Sequence, residues 1–257
     1  MKIIVLGSGT SQGVPVIGCK CRTCLSENPK DKRLRASVYI QTKDNLKILI
    51  DTSIDFRQQM LRAGIIDLDA VLFTHPHVDH IMGMDDLRQI NQHYDKFIDV
   101  YGNKHTMDEL SVTFRYAFDP ELINYRAVPL INIHNIDNEP FYIRNIKIIP
   151  IKVMHGRLEI LGYRIGNFAY VTDGSYIPEE EYPKFENLDV LIINALRRKP
   201  HPTHFHLAKS IELAQLFKAK KTYFTHITHD LYHDEVNASL PENIELSYDG
   251  LELNIDD

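Results

Sequence analysis

The sequence contains no tryptophan, only three cysteines and no apolar run that approaches the roughly 20 residues needed to cross a bilayer. The only apolar run near the N-terminus, residues 3–6, is also shorter than the roughly 7–15 apolar residues of a signal peptide. A chain of 257 residues buries enough surface to hold a core without disulfides. We therefore expect a soluble cytoplasmic protein without membrane contacts.

The chain also has no excess of basic residues. It carries 29 Lys and Arg against 35 Asp and Glu, which gives a net charge of -6. Proteins that bind long nucleic acids usually present a basic surface, because neutralised phosphates supply most of the affinity. Nucleic acid is therefore an unlikely partner, although a local basic patch could suffice.

Apolar runs of strand length, rich in Ile and Val, outnumber segments with helical periodicity. Strands are predicted at residues 2–6, 37–41, 47–50, 70–74, 99–101, 146–153, 161–165, 167–172, 190–194 and 222–225. Helices are predicted at residues 55–63, 84–93, 107–117 and 206–218. This pattern favours an α/β fold with helices outside one or two sheets. No linker, repeat or low-complexity block interrupts it, so residues 1–257 are predicted to form one domain.

Three segments do not fit a regular element. Residues 14–35 carry the cysteines and lack periodicity, and residues 118–140 are predicted to be irregular because they contain three prolines and a polar run. The glycine-rich residues 7–13 follow a strand but fail as a dinucleotide-binding loop. Their third glycine comes one position later than the dinucleotide-binding motif requires, and no helix follows before Pro15.

A His-x-His-x-Asp-His motif at residues 75–80 directly follows a predicted strand. Neutral imidazole is the commonest ligand for zinc-like ions, and carboxylates extend the set to harder ions. In an extended loop His75 and His77 point to the same side and can hold one ion. Asp79 and His80 lie where the chain turns and can reach a second ion. The motif predicts two adjacent metal sites; a polar loop without metal is the alternative.

Three further candidates, His155, Asp173 and His226, each follow a predicted strand. Strand ends present side chains to a pocket, although a single polar residue there is often only a solvated turn. With the motif they make seven ligands, which suit two metals that share Asp173. Two divalent ions with two carboxylates and a bridging hydroxide leave a charge of about +1, which favours an anion such as a phosphodiester.

The three cysteines, Cys19, Cys21 and Cys24, lie within six residues. An odd number in a reducing compartment argues against a set of disulfides. Three thiolates this close are typical of a structural zinc site, which requires a fourth ligand. Three free cysteines are the alternative.

The chain resembles the metallo-β-lactamase superfamily and, more narrowly, its PhnP-type cyclic-phosphodiesterase branch. The resemblance rests on the motif at 75–80 and on residues 7–15, 18–24, 172–173, 203–204, 225–229 and 248–250. It implies a four-layer αβ/βα sandwich with the site at one edge. It also implies that two ions, manganese or zinc, are bound as follows: His75, His77 and His155 on one, Asp79, His80 and His226 on the other, and Asp173 between them.

The same resemblance implies His229 as the fourth ligand of a structural zinc and His204 as a catalytic histidine, with Asp79 as the second catalytic residue. His204 could donate a proton to the leaving oxygen or stabilise charge on the phosphate, or it could simply belong to a helix cap. His201 and His206 are predicted to lie on the surface. The run Arg197, Arg198 and Lys199 is either a solvated face or a site for a terminal phosphate.

We therefore expect a dinuclear metal-dependent phosphodiesterase that hydrolyses a small ribosyl-type cyclic phosphate by attack of a metal-bound hydroxide. The related family also suggests a homodimer. The alternatives are a ribonuclease Z-like tRNA 3′-processing nuclease, a thioester, lactone or lactam hydrolase on the same fold, and a non-catalytic metal-binding ligand sensor. The absence of a long basic insertion argues against the nuclease, and the intact ligand set argues against the sensor.

Overall fold

The computed structural model describes residues 1–255, and in them fourteen strands form two mixed sheets of seven strands each. The first sheet has the order β14-β1-β2-β3-β4-β5-β6, with β1 (Lys2–Gly7), β2 (Ser37–Gln41), β3 (Lys47–Ile50), β4 (Ala70–Leu72), β5 (Ile98–Gly102), β6 (Ile131–Asn135) and β14 (Glu252–Asn254). The second has the order β13-β12-β11-β10-β9-β8-β7, with β7 (Phe141–Ile143), β8 (Ile146–His155), β9 (Leu158–Ile165), β10 (Phe168–Val171), β11 (Val190–Asn194), β12 (Lys221–Thr225) and β13 (Ile244–Leu246).

Eight α-helices connect these strands in the described residues. They are α1 (Arg22–Leu25), α2 (Phe56–Ala63), α3 (Val78–Ile81), α4 (Leu87–Tyr94), α5 (Lys104–Thr113), α6 (Pro120–Asn124), α7 (Leu207–Phe217) and α8 (His233–Asn237). Short 3₁₀ helices lie at Pro29–Asp31, Met82–Asp86, Arg115–Phe118 and Glu179–Phe185. None of the helices in residues 1–255 is both long enough and apolar enough to span a membrane.

The alternation of side chains along the strands divides the core into three layers. In β3, Ile48 and Ile50 point into the cluster between the sheets, whereas Leu49 packs with the helices on the outer face. In β11, Ile192 joins the central cluster and Leu191 packs under α7. Both faces of each sheet are therefore covered, and the predicted four-layer αβ/βα sandwich is confirmed.

The two sheets are joined at the edge where the polar strand ends converge. The backbone N–H of Leu161 in β9 donates to the Thr74 carbonyl oxygen across 3.0 Å, and the hydroxyl of Tyr163 donates to the Phe73 carbonyl oxygen across 2.6 Å. Strands β3, β4, β5 and β6 are parallel, as are β10, β11, β12 and β13. Their carboxyl ends meet at this edge, which is where α/β sheets usually bind ligands.

The segment 118–140 is more regular than the sequence predicts. It contains α6 and β6, and β6 adds a parallel edge strand to β5. The prediction of an irregular segment was wrong because Pro120 is the first residue of α6, a position that tolerates proline, and Pro129 and Pro140 lie outside both elements. The three-residue strands β7, β13 and β14 were also not predicted, since runs this short have no readable period.

The glycines of residues 7–13 serve close packing of the backbone. A side chain at Gly7 would collide with the carbonyl oxygen of Arg35, and Gly9 bridges both Arg35 and Ile227. Buried Asp249 holds this loop, because its Oδ1 accepts hydrogen bonds from the backbone N–H and the hydroxyl of Ser8 at 2.9 and 2.8 Å. The N-terminal loop thereby lies against the strand end that carries His226.

Candidate metal centre

The structure brings His75, His77 and His155 together, with one ring nitrogen of each lying within 4.8 Å of the others. His75 and His77 follow β4, and His155 is the last residue of β8 in the other sheet. His75 Nε2 lies 3.0 Å from His77 Nδ1. This is the first of the two ligand groups that the sequence predicts.

The second predicted group, Asp79, His80 and His226, also converges within 4.8 Å. Asp79 and His80 lie in the single turn of α3, whereas His226 follows β12 and has a left-handed backbone conformation with φ of 55°. His80 Nε2 lies 3.2 Å from Asp79 Oδ2. Both sheets therefore contribute ligand atoms to each group.

Asp173 lies between the two groups. Its Oδ2 is 3.3 Å from His80 Nε2, and its Oδ1 is 3.2 Å from His226 Nε2. A ligand atom of Asp173 also lies within 4.8 Å of those of His75 and His80. Burial alone would raise the pKa of Asp173, but His226 and His80 hold it well below its usual range. The carboxylate is therefore ionised where a cation would need it.

Asp51, which follows β3, orients this centre and was not predicted. Its Oδ2 lies 2.7 Å from His80 Nδ1 and accepts a hydrogen bond from the Thr74 hydroxyl at 2.8 Å. A carboxylate beside Nδ1 places the imidazole hydrogen there and leaves Nε2 of His80 free to bind a metal. The one available signal was an acidic residue at the end of a parallel strand, the same position that marks Asp173.

His155 and His75 are fixed in the same way. His155 Nδ1 donates to the Thr203 carbonyl oxygen across 2.7 Å, which leaves its Nε2 free. His75 Nδ1 lies 2.9 Å from the Thr74 hydroxyl oxygen, whose own hydrogen is donated to Asp51. Outer hydrogen bonds of this kind are the usual device for presenting a metal-ligating imidazole.

Buried ring nitrogens without a hydrogen-bond partner indicate whether these residues fit divalent cations. His80 Nε2 is buried and has no hydrogen-bond partner among residues 1–255, although two carboxylates lie 3.2 and 3.3 Å away. Unprotonated His75 Nε2 faces another ring nitrogen, that of His77, at 3.0 Å. Bare nitrogens and carboxylates turned toward one point are the donor set of a zinc-like ion, and the fit is good.

The pKa values of two of the ligand imidazoles, His75 and His226, agree with this fit. Burial and the neighbouring His80 lower the pKa of His75 well below its usual value, and burial lowers the pKa of His226 to about 4. Both rings are therefore neutral at pH 7, the form that binds metal. Although burial opposes it, Asp79 and Asp173 raise the pKa of His80 well above its usual value, which reflects the concentration of negative charge there.

The predicted catalytic histidine adjoins the centre. His204 Nε2 lies 3.0 Å from Asp173 Oδ1, and the rings of His204 and His226 stack with centroids 5.1 Å apart. The second predicted catalytic residue, Asp79, belongs to the ligand group already described. Burial would raise the pKa of Asp79, but His80 and His226 hold it far below its usual value.

The histidines and basic residues around His204 differ from the sequence prediction in part. His201 was predicted to lie on the surface, but it is half-buried and its ring contacts His204. Arg197 donates to the carbonyl oxygens of Lys199 and Pro200, and Arg198 pairs with Glu235 at 3.3 Å. Two of the three basic residues are thus engaged within the protein.

A separate group near the N-terminus contains the three cysteines and His229. The Sγ atoms of Cys19, Cys21 and Cys24 lie 3.2, 3.4 and 3.5 Å from His229 Nδ1. Burial acts against it, but the Cys24 backbone N–H and the neighbouring thiols lower the pKa of Cys21 to about 6. Three sulfurs around one imidazole nitrogen are the ligand set of a closed structural zinc site.

A buried ion pair supports this group. Arg33 and Asp31 are both fully buried and 2.9 Å apart, and Arg33 also donates to the carbonyl oxygens of Thr228 and Leu231. Those two residues flank His229. The cysteine segment is therefore attached to the loop that carries both His226 and His229.

A family model described as the beta-lactamase superfamily domain matches residues 47–227, more than two thirds of the chain. The chain belongs to the beta-lactamase superfamily. A crystal structure of a diphosphatase from the PhnP family is 45% identical, covers 98% of this chain and 96% of that one, and superposes with a TM-score of 0.92. The matched domain is that of a metal-dependent hydrolase, and its fold implies bound divalent metals.

Other similar proteins carry different names. A protein of Porphyromonas gingivalis named octanoyltransferase is 42% identical over all of this chain but only 52% of its own length. Coenzyme PQQ synthesis protein B of Methylobacterium radiotolerans is 31% identical over 46% of this chain and 42% of that protein. The chain thus spans about half the length, or less, of these curated relatives. Human tRNase Z, short form, is 17% identical with a TM-score of 0.72, which shows a shared fold alone.

Proposed function

We propose that this superfamily member is a phosphodiesterase that hydrolyses a small cyclic phosphate at a centre of two divalent cations, zinc or manganese. His75, His77 and His155 would hold one cation, Asp79, His80 and His226 the other, and Asp173 would be shared. The observation that carries the proposal is the position of Asp173, whose two oxygens lie within 3.3 Å of His80, His204 and His226. One carboxylate therefore adjoins both the ligand groups and the proposed proton donor.

The charge of the proposed cations accounts for hydrolysis at phosphorus. Cations bound there would lower the pKa of water and neutralise the charge that develops on an in-line phosphoryl transition state. The protein residues orient the ligands and supply the proton. Asp51 fixes the ring of His80, and the Thr203 carbonyl oxygen fixes the ring of His155. His204 holds a proton at Nε2 beside Asp173. That proton can pass to the oxygen that leaves phosphorus, which avoids expelling an alkoxide.

Replacement of the shared carboxylate tests the proposal. Asp173→Asn keeps the size of the side chain but removes its charge, and we expect it to abolish hydrolysis of bis(p-nitrophenyl) phosphate and to release metal. Asp108→Asn, a solvent-exposed residue paired with Lys104, is the matched control and should behave like the unmodified protein. Elemental analysis should find two exchangeable ions and one tightly held zinc per chain. Normal turnover by Asp173→Asn would refute the proposal.

A second candidate is hydrolysis of a diphosphate, favoured by the similarity to the PhnP-family diphosphatase over 98% of the chain. Phosphodiester and phosphoanhydride hydrolysis share the same displacement at phosphorus and differ in the leaving group. Comparing kcat/KM for a ribosyl cyclic phosphate and for ADP-ribose separates the two. A larger value for ADP-ribose would assign the diphosphate.

Neither tRNA processing nor octanoyl transfer is favoured. The net charge of -6 is unsuited to a large polyanion, and the similarity to human tRNase Z extends to the fold alone. The octanoyltransferase name belongs to a protein about half of which matches this chain. Incubation with precursor tRNA tests the first of these activities directly.

A further inference from the structure

His201, which the sequence places on the surface, lies in contact with the proposed proton donor. Its Nδ1 is 3.1 Å from His204 Nδ1, and the two ring centroids are 5.0 Å apart. The hydroxyl of Thr203 lies 3.2 Å from His201 Nδ1 and 2.9 Å from His204 Nδ1. The three side chains therefore form a small hydrogen-bonded group on the side of His204 that faces away from Asp173.

The donors and acceptors in this group determine where the hydrogens lie. The backbone N–H of Thr203 donates to His201 Nδ1 at 3.3 Å, so this nitrogen is an acceptor and carries no hydrogen. His204 Nδ1, which faces the same nitrogen, is then the ring nitrogen that can donate across the 3.1 Å contact. His201 therefore accepts a hydrogen from Nδ1 of His204, while Asp173 Oδ1 accepts one from Nε2 at 3.0 Å. When His204 acts as the proton donor it carries both hydrogens, gives up the one on Nε2 and keeps the one on Nδ1.

The turn that holds His201 is itself firmly anchored. The Thr203 carbonyl oxygen accepts from His155 Nδ1, and a side chain at Gly156 would collide with the Thr203 methyl group. Arg197 closes the preceding loop through its bonds to the Lys199 and Pro200 carbonyl oxygens. The spacing between His201 and His204 is thus set by the same contacts that orient a ligand of the first metal group.

We propose that His201 is a positioning residue for His204: it accepts the Nδ1 hydrogen bond and so fixes the ring orientation that turns Nε2 toward the leaving oxygen. The inference rests on the proposed function, in which His204 donates the proton. A second imidazole here performs the task that a carboxylate performs in other catalytic groups: it holds the reacting histidine in one rotamer and keeps a hydrogen on its Nδ1 after the Nε2 hydrogen has been transferred.

The test compares two near-isosteric variants on two substrates. His201→Leu removes the acceptor, whereas His201→Asn retains one. Bis(p-nitrophenyl) phosphate releases a stabilised phenolate that needs no proton, whereas diphenyl phosphate releases a more basic phenoxide. We expect His201→Leu to lower kcat for diphenyl phosphate by about 10–100-fold with little change in KM, and to leave bis(p-nitrophenyl) phosphate within about 3-fold. His201→Asn should recover most of the lost rate.

His206→Ala is the matched control, because His206 is a half-buried histidine of the same segment whose side chain makes no hydrogen bond to the α7 N-terminus. His204→Ala serves as the reference and should lose roughly 10²–10⁴ in kcat on diphenyl phosphate. Metal content and circular dichroism verify that each variant is folded. If His201→Leu does not fold, His201→Ala replaces it in the comparison.

The outcomes separate the inference from the function on which it rests. Normal turnover of diphenyl phosphate by His204→Ala would refute the proton donor. A normal His201→Leu beside a defective His204→Ala would overturn the positioning role alone. Equal losses on both substrates, or no recovery in His201→Asn, would also overturn it, because a purely structural defect has no dependence on the leaving group.

Discussion

Asp51 Oδ2 and His80 Nδ1 lie 2.7 Å apart, and neither side chain is accessible to solvent. The pair joins the end of β3 to the turn of α3, and it determines which nitrogen of His80 is free. The orientation of a candidate metal ligand therefore depends on a residue 29 positions earlier in the chain.

We expect Asp51→Asn to disable the centre although it changes only one atom of the side chain. The amide nitrogen would donate to His80 Nδ1 and move the ring hydrogen to Nε2, where a metal could no longer bind. Outer hydrogen-bond partners of this kind typically contribute about 10–100-fold to metal affinity or activity, and we expect a loss of that size in both. Elemental analysis and hydrolysis of bis(p-nitrophenyl) phosphate measure the effect.

The control for this prediction is a second Asp–His pair on the protein surface. Asp99 Oδ1 lies 3.1 Å from His134 Nε2, and both side chains are about 40% exposed. Asp99→Asn should leave metal content and turnover unchanged. An Asp51→Asn variant with full metal content and full activity would contradict the role assigned to Asp51.

The cysteine group should retain its ion independently of the hydrolytic centre. We expect Cys21→Ser to contain about one zinc fewer per chain, because a structural zinc requires four ligands. We also expect a lower thermal unfolding temperature, since the segment 14–35 would lose its attachment at His229. Ile17→Ala, on the fully exposed tip of the same segment, is the control. An unchanged zinc content in Cys21→Ser would contradict the four-ligand site.

Stability should decrease in mild acid through His233. Burial, with Arg33 and Lys30 nearby, lowers the pKa of His233 from 6.5 to about 4. The unfolded chain therefore takes up a proton before the folded protein does. The stabilisation is complete above about pH 6.5 and is lost as the pH falls toward about 4, with a size of about 2 kcal/mol after allowance for solvent screening.

Urea unfolding at about pH 7.5 and about pH 5 tests this expectation by comparing the unmodified protein with His233→Gln. Glutamine preserves a partner for Asn237, which bonds to His233 Nε2, but it does not titrate. The variant should lose less stability on acidification than the unmodified protein does. His105→Gln, at an exposed histidine, should show no difference, and an equal pH dependence in all three proteins would contradict the assignment.

Much of the fold could be predicted because many of its strands are long enough to show a distinct residue composition in the sequence. The predicted strands 37–41, 47–50 and 190–194 coincide with β2, β3 and β11. Where the prediction failed, the pattern was short or mixed. The predicted helix at 84–93 is a 3₁₀ turn followed by α4, and β6 is a half-exposed edge strand whose polar residues resemble a loop.

The site was predicted from residues that are clustered in the sequence or that directly follow strands. All seven candidate ligands converge as expected. Their roles as ligands remain predictions. Asp51 and His201 were missed because each acts through another residue. A lone aspartate after a strand, or a histidine in a polar turn, becomes informative only when its partner is known. Sequence spacing gives no indication that residue 51 will meet residue 80.

The order of the candidate ligands along the chain has a consequence for biosynthesis. His75, His77, Asp79 and His80 belong to the first sheet, whereas Asp173 and His226 are translated much later. A nascent chain has no complete pair of binding sites until residue 226 has left the ribosome, and the two sheets must then dock. With the ligands proposed above, cation loading of both sites would follow translation of both halves instead of guiding the folding of the first.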